Sequence, residues 1–140
     1  MEYLCTFDVD TLFIGIEIGR IQEILRPQPI TAVPLAAAAI RGLMSLRGQI
    51  VPVVDLAERL GVRLRDGGGE AFNVLIRTPD GPVSLLVDHV GDVVEVYQDT
   101  FEPAPDTLRS SMRPLIRGAY KLERRLLLAL DAMSAIQVEY

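Results

Sequence analysis

The sequence predicts a mainly β fold built from two similar small units with short helices. Nine prolines and eleven glycines cut the 140 residues into short segments rich in β-branched side chains, too short for long helices. Two patterns also recur at about half the chain length. Gly19-Arg20-Ile21-Gln22-Glu23-Ile24 and Gly91-Asp92-Val93-Val94-Glu95-Val96 share the form Gly-x-apolar-x-Glu-apolar, 72 residues apart. Arg47-Gly48 before a strand and Asp55, and Arg117-Gly118 before a strand and Asp131, recur 70 residues apart. A repeat of this length marks two related β units, and units of about 70 residues are marginal alone, so they must share a core or an interface.

In chain order, Leu4 to Val9 and Thr11 to Ile18 read as a hairpin turning at Asp8-Val9-Asp10. Arg26 to Pro34, with Pro27, Pro29 and Pro34, reads as an extended strand entered and left at proline corners. Leu35 to Ile40 contains four consecutive alanines and reads as a short helix. Ser45 to Asp55 reads as strand, turn at Gly48 and strand, with Pro52 at an edge or bulge. Asp55 is placed to cap a helix over Leu56 to Leu60, and Gly61 to end it.

Arg65 to Glu70 is the one flexible, loop-like stretch. Phe72 to Arg77 and Val83 to Asp88 flank Thr78-Pro79-Asp80-Gly81-Pro82, a turn in which proline presets φ and glycine permits positive φ. Val90 to Val96 is a further strand, Phe101 to Ser111 a loop or short helix. Ile116 to Lys121 and Arg125 to Leu130 are two more strands, joined across Leu122-Glu123-Arg124. Asp131 caps a last helix from Ala132 to about Ile136.

Composition removes several function classes. Nineteen acidic against fourteen basic residues give a net charge of -5, which offers no footprint for nucleic acid or an anionic bilayer. The single Cys5 forms no internal disulfide, and with His89 as the one histidine a four-ligand Cys/His zinc site cannot be assembled, so no metal or other cofactor is expected. The start Met1-Glu2-Tyr3 has neither a basic nor an apolar leader region, and apolar runs fall far short of about 20 residues, so a cytoplasmic protein without direct membrane insertion is expected. No Gly-x-Ser-x-Gly elbow, P-loop or Gly-x-Gly-x-x-Gly helix start occurs, and Asp8 and Asp10 do not continue into a calcium loop. Asp88 and His89 are the remaining acid/base candidates for a small enzyme, and as neighbours in a strand they point to opposite faces.

Arg47 and Glu23 lie among apolar neighbours and need an explanation for their charge. Arg47 covers apolar surface with its stem, contacts a partner, or pairs with Glu23.

The run IRGLMSLRGQIVPVVDLAERLG, Ile40 to Gly61, closely resembles the signature of the CheW-like chemotaxis adaptors. Phe13 to Leu25, Leu85 to Val96 and Ile116 to Leu130 resemble three further blocks of that family in the same order, so the resemblance covers nearly the whole chain. It implies one CheW-like domain over residues 1–140, made of two intertwined SH3-like β-barrels. It also implies a non-catalytic adaptor coupling the cytoplasmic tips of chemoreceptors to the regulatory domain of a CheA-type histidine kinase. Such an adaptor would assemble with other CheW-like domains in membrane-associated arrays. By the same resemblance Ile21, Glu23 and Arg47 match positions lining the family's receptor groove, with Val87 to Val90 contributing. The alternative is an isolated regulatory domain of such a kinase, or the adaptor half of a receiver fusion.

Overall fold

In the computed structural model, which describes residues 1–138, Glu2–Val9 (β1) and Leu12–Glu17 (β2) form the first antiparallel hairpin. Asp10 turns it in the left-handed region at φ 55°. A short 3-10 turn, Ile18–Arg20, leads into Ile21–Leu25 (β3). Ile40–Leu46 (β4) and Gln49–Asp55 (β5) make the second hairpin, and Leu56–Leu60 (α1) follows directly. Phe72–Ile76 (β6) and Val83–Val87 (β7) make the third, succeeded by His89–Val96 (β8) and the two-residue Phe101–Glu102 (β9). Ile116–Lys121 (β10), Leu126–Leu130 (β11) and Ala132–Ile136 (α2) complete the described chain.

The strands divide into a six-stranded sheet, β8-β1-β2-β11-β10-β9, and a five-stranded sheet, β3-β6-β7-β5-β4. Their orders correspond strand for strand: β8 to β3, β1 to β6, β2 to β7, β11 to β5 and β10 to β4. In each, one parallel contact joins the hairpin from one half to the strand from the other, β2 with β11 and β5 with β7. The units are therefore intertwined, each sheet drawing strands from both halves of the sequence.

Both sheets feed one core. Cys5, Phe7 and Val9 alternate onto one face of β1 and meet Val53, Val74, Leu85 and Val87 of the second sheet in a continuous cluster. Leu4, on the opposite face, packs with Val96, Tyr120, Leu127 and Ala129 in a smaller cluster. Leu4 to Phe7 are thus buried on both faces of β1, Thr6 among them.

Both helix caps form as the sequence predicts. Asp55 accepts the Glu58 N–H at 3.1 Å and Gly61 ends α1 at φ 81°, while Asp131 accepts the Ser134 N–H at 3.1 Å. Arg59 of α1 donates to the Ser134 and Ala135 carbonyls at the open end of α2, at 2.9 and 3.2 Å, tying the helices together.

Four expectations are corrected. Leu35 to Ile40 is a series of turns, not a helix; Leu35 sits at φ 64°, and the Ala39 carbonyl accepts the Asp55 N–H at 2.8 Å instead of a helical donor. Arg26 to Pro34 is not a strand, since only Thr31 pairs, bridging to Leu43. Ile18 belongs to the 3-10 turn, so β2 stops at Glu17. The 70-residue alignment of Arg47-Gly48 with Arg117-Gly118 also fails, because the first pair is the β4–β5 turn and the second lies inside β10. The structural equivalents are Ile40-Arg41-Gly42 and Ile116-Arg117-Gly118, 76 residues apart, each at a register shift. A Cβ on Gly42 would overlap the Thr31 carbonyl oxygen, and one on Gly118 would lie 2.6 Å from that of Glu102. Both glycines thus admit a neighbouring backbone that crosses close by.

Candidate partner-binding site

The β4–β5 hairpin is closed by Arg47 at φ 49° and Gly48 at φ 80°, two consecutive left-handed residues as a type I′ turn requires. Arginine is an uncommon occupant of that region. From the turn its guanidinium donates from Nη2 to Oε2 of Glu23 on β3, so one ion pair spans the outer strand β3 and the hairpin tip. The Arg47 side chain remains 66% exposed and that of Glu23 28%. The hydrogen bond and charge of Arg47 hold the Glu23 carboxyl below the usual carboxylate range, against a smaller opposing effect of burial. Since a guanidinium carries five N–H donors, most of Arg47's capacity still faces solvent.

Of the three sequence readings of Arg47, the ion pair is realised and the exposed head leaves a contact role open. Ile21 does not join the pair at the surface. A register shift at Gln22 sets Ile21 opposite Ile76 and Glu23 opposite Leu75, which alternate faces, so Ile21 turns into the core at 9% exposure. Val87 is fully buried opposite Phe72. Val90 lies on β8, the outer strand of the other sheet, opposite Phe7 and 38% exposed. The structure therefore brings together Glu23 and Arg47, holds Ile21 and Val87 in the core, and sets Val90 on the strand equivalent to β3.

Sequence reasoning missed Ile50, three residues beyond Arg47 and 68% exposed. Ile50 borders an apolar groove of about 460 Å³ between Pro52, Pro79, Val83, Met133 and Ile136. The signal was its place on the solvent side of a hairpin whose alternating partners Val51 and Val53 are buried. Asp88 is buried between β7 and β8, and His89 is exposed at the start of β8. Among the described residues no group of three or more His, Cys, Asp or Glu side chains is arranged to hold a metal, and no helix is long and apolar enough to cross a membrane.

Residues 4–139 match the family model described as the CheW-like domain. The chain belongs to the CheW-like family. It is 30% identical over 138 residues to the chemotaxis protein CheW of Bacillus subtilis, covering 99% of this chain and 88% of that one. It is 29% identical over 128 residues to a probable chemotaxis protein CheW of Rhizobium etli, covering 91% and 83%. Its fold matches the crystal structure of the scaffolding protein TtCheW from Thermoanaerobacter tengcongensis with a TM-score of 0.84 at 23% identity, over 99% of this chain and 94% of that one. The two intertwined sheets are thus the expected SH3-like pair. The CheW-like protein is a chemotaxis adaptor and scaffold rather than an enzyme, and the relatives do not favour reading it as a kinase's regulatory domain.

Proposed function

We propose that this CheW-like chain acts as one domain of two barrel subdomains, in the cytoplasm, coupling chemoreceptor tips to the regulatory domain of a CheA-type histidine kinase within arrays that include other CheW-like domains. Its receptor surface centres on Arg47 and Glu23, with Val90 contributing from the other sheet and Ile21 and Val87 supporting the strands from within. The observation that carries this reading is the Arg47 guanidinium, presented at a hairpin tip, oriented by Glu23 and still 66% exposed. A planar fork held in one orientation loses little freedom on meeting a carboxylate or carbonyl of a partner. The mechanism is geometric: a receptor signal changes the placement of the kinase relative to the adaptor and shifts the kinase between states of different output.

The test is Arg47→Ala. A contact residue of this kind contributes on the order of 2 kcal/mol, about thirtyfold in receptor affinity. An exposed, screened ion pair adds little to folding, so the melting temperature stays nearly unchanged, as does affinity for the kinase domain. Titrating both partners against the variant checks this. Receptor affinity equal to that of the parent, with the protein folded, removes Arg47 from the site.

A further inference from the structure

The chain passes between its two sheets twice, from β2 to β3 and from β7 to β8. Asp88 is the residue of the second crossing and is 7% exposed. Its Oδ2 accepts the N–H of Asp10, in the β1–β2 turn, at 2.7 Å. Its Oδ1 accepts the N–H of Arg65, in the loop after α1, at 2.9 Å. Its own N–H donates to the Asp8 carbonyl at 2.9 Å, and the Arg65 guanidinium donates to the Asp10 carbonyl at 3.3 Å. One carboxylate thus joins a turn of the six-stranded sheet, the loop leaving α1 and the crossing itself. At the first crossing the nearby carboxylate, Glu17, pairs with the side chain of Arg117, at 2.6 Å and near solvent. The two crossings differ in kind: at the second a buried carboxylate holds backbone amides from two other segments, while at the first the Arg20 carbonyl accepts the Arg77 N–H at 2.9 Å and the carboxylate pairs with a side chain.

We infer that Asp88 is the positioning residue of the receptor surface, fixing where β8 begins and so where Val90 stands relative to Glu23 and Arg47 on the other sheet. The inference rests on the function proposed above. A carboxylate is suited to this because it offers two acceptors and no donor, and charge-assisted bonds to amides are short and about twice as strong as neutral ones. Val90 lies two residues beyond Asp88, too close for a change in the pin to be absorbed before it. Asparagine is nearly isosteric but turns one acceptor into a donor facing an N–H, so Asp88→Asn breaks one strut while conserving volume. Arg65→Pro removes the other strut without touching the carboxylate. Proline suits the first position of the 3-10 turn there, and Leu64 before it already has φ −61° and ψ 143°. Arg65→Ala keeps the N–H and removes the guanidinium, so it separates the strut to Asp88 from the bond to the Asp10 carbonyl.

The experiment compares Asp88→Asn, Arg65→Pro, Arg65→Ala and Arg47→Ala for binding to a chemoreceptor cytoplasmic fragment and to the kinase regulatory domain, both from the same organism. Melting temperature and amide hydrogen exchange are measured on each. Asp88→Asn and Arg65→Pro are expected to lower receptor affinity about tenfold, with kinase affinity within twofold of the parent. Exchange should quicken at Asp10 and over His89–Val93 and stay unchanged in β10 and β11. Arg65→Ala, which keeps the N–H to Asp88 and loses the guanidinium bond to the Asp10 carbonyl, should lower receptor affinity less than Arg65→Pro, and an equal loss in both would place the effect in the guanidinium and overturn the inference. Receptor and kinase affinities falling together with the melting temperature would assign Asp88 to stability alone and overturn the inference. Receptor loss on Arg47→Ala but not on Asp88→Asn overturns it while the receptor surface stands. Unchanged receptor binding in both overturns the receptor surface itself, and the positioning role with it.

Discussion

Arg47 occupies a place where local preference favours another residue. Both central positions of a type I′ turn need positive φ, and Asn-Gly is the pairing that meets the need at least cost. Here Gly48 is present but arginine stands at φ 49°. The ion pair with Glu23 does little to offset that, because it is exposed and screened. A residue kept against local preference without a matching gain in folding energy points to selection for contact. Arg47→Asn therefore separates the two. Asparagine suits the left-handed position better than arginine does, and this offsets the loss of an exposed, screened pair. The melting temperature, followed by circular dichroism, should stay at or slightly above that of the parent while receptor affinity falls as it does for Arg47→Ala. A clear drop in melting temperature would show that the pair holds β3 to the hairpin, and Arg47 would be structural.

At the scale of elements, what was legible in the sequence is what depends on a few adjacent residues. The Thr78–Pro82 and Arg47-Gly48 turns and the aspartate caps each satisfy their own backbone, and all form where read. Leu35 to Ile40 looks helical in sequence, but four alanines favour a helix only if a nucleus forms, and six residues cannot offset that cost when neighbouring strands claim the same carbonyls. The two-unit repeat is legible but its register is not, since Arg-Gly occurs at both a turn and a bulge and strand pairing is what tells them apart. In the site, the Glu23–Arg47 pair was one of three readings. The role of Asp88 was hidden because its donors, Asp10 and Arg65, are 78 and 23 residues away in sequence.

The α1 cap gives an element-level prediction with an electrostatic sign. Burial pushes the Asp55 carboxyl above its ordinary range, outweighing the Glu58 amide and the attraction of Arg41 at 3.7 Å. A raised folded pKa means that stability is gained as the proton binds, below the folded value, and lost as the pH rises through it. At neutral pH Asp55 therefore caps at the cost of a partly buried charge. Asp55→Ala loses the cap, about 1 kcal/mol, whereas Asp55→Asn caps equally well without the charge and should match or exceed the parent's stability at pH 7. Urea unfolding at pH 7 and at pH 4 checks this: the advantage of asparagine should shrink in acid, and an advantage that grows there would mean that Arg41 dominates.

For the whole molecule, the strand order of the two sheets makes each half incomplete. The six-stranded sheet takes β1 and β2 from the first half and β8 to β11 from the second, while the five-stranded sheet takes β3 to β5 from the first and β6 and β7 from the second. Cutting the exposed loop at Gly68 would leave β1 without β8, β2 without β11, β3 without β6 and β5 without β7. The shared core would be cut too, since Phe7, Ile14 and Val53 come from one side and Val74, Leu85 and Leu128 from the other. A fragment of about 70 residues that cannot bury its apolar faces does not offset its chain entropy. Fragments 1–68 and 69–140, made separately, should each show no cooperative melting by circular dichroism. Mixed in equal amounts they should regain a β-rich spectrum and a single transition whose midpoint rises with concentration, because folding has become association. A first fragment that melts cooperatively alone would mean that the first half is self-sufficient and that the strands exchanged between the halves are not what makes the two sheets a single folding unit.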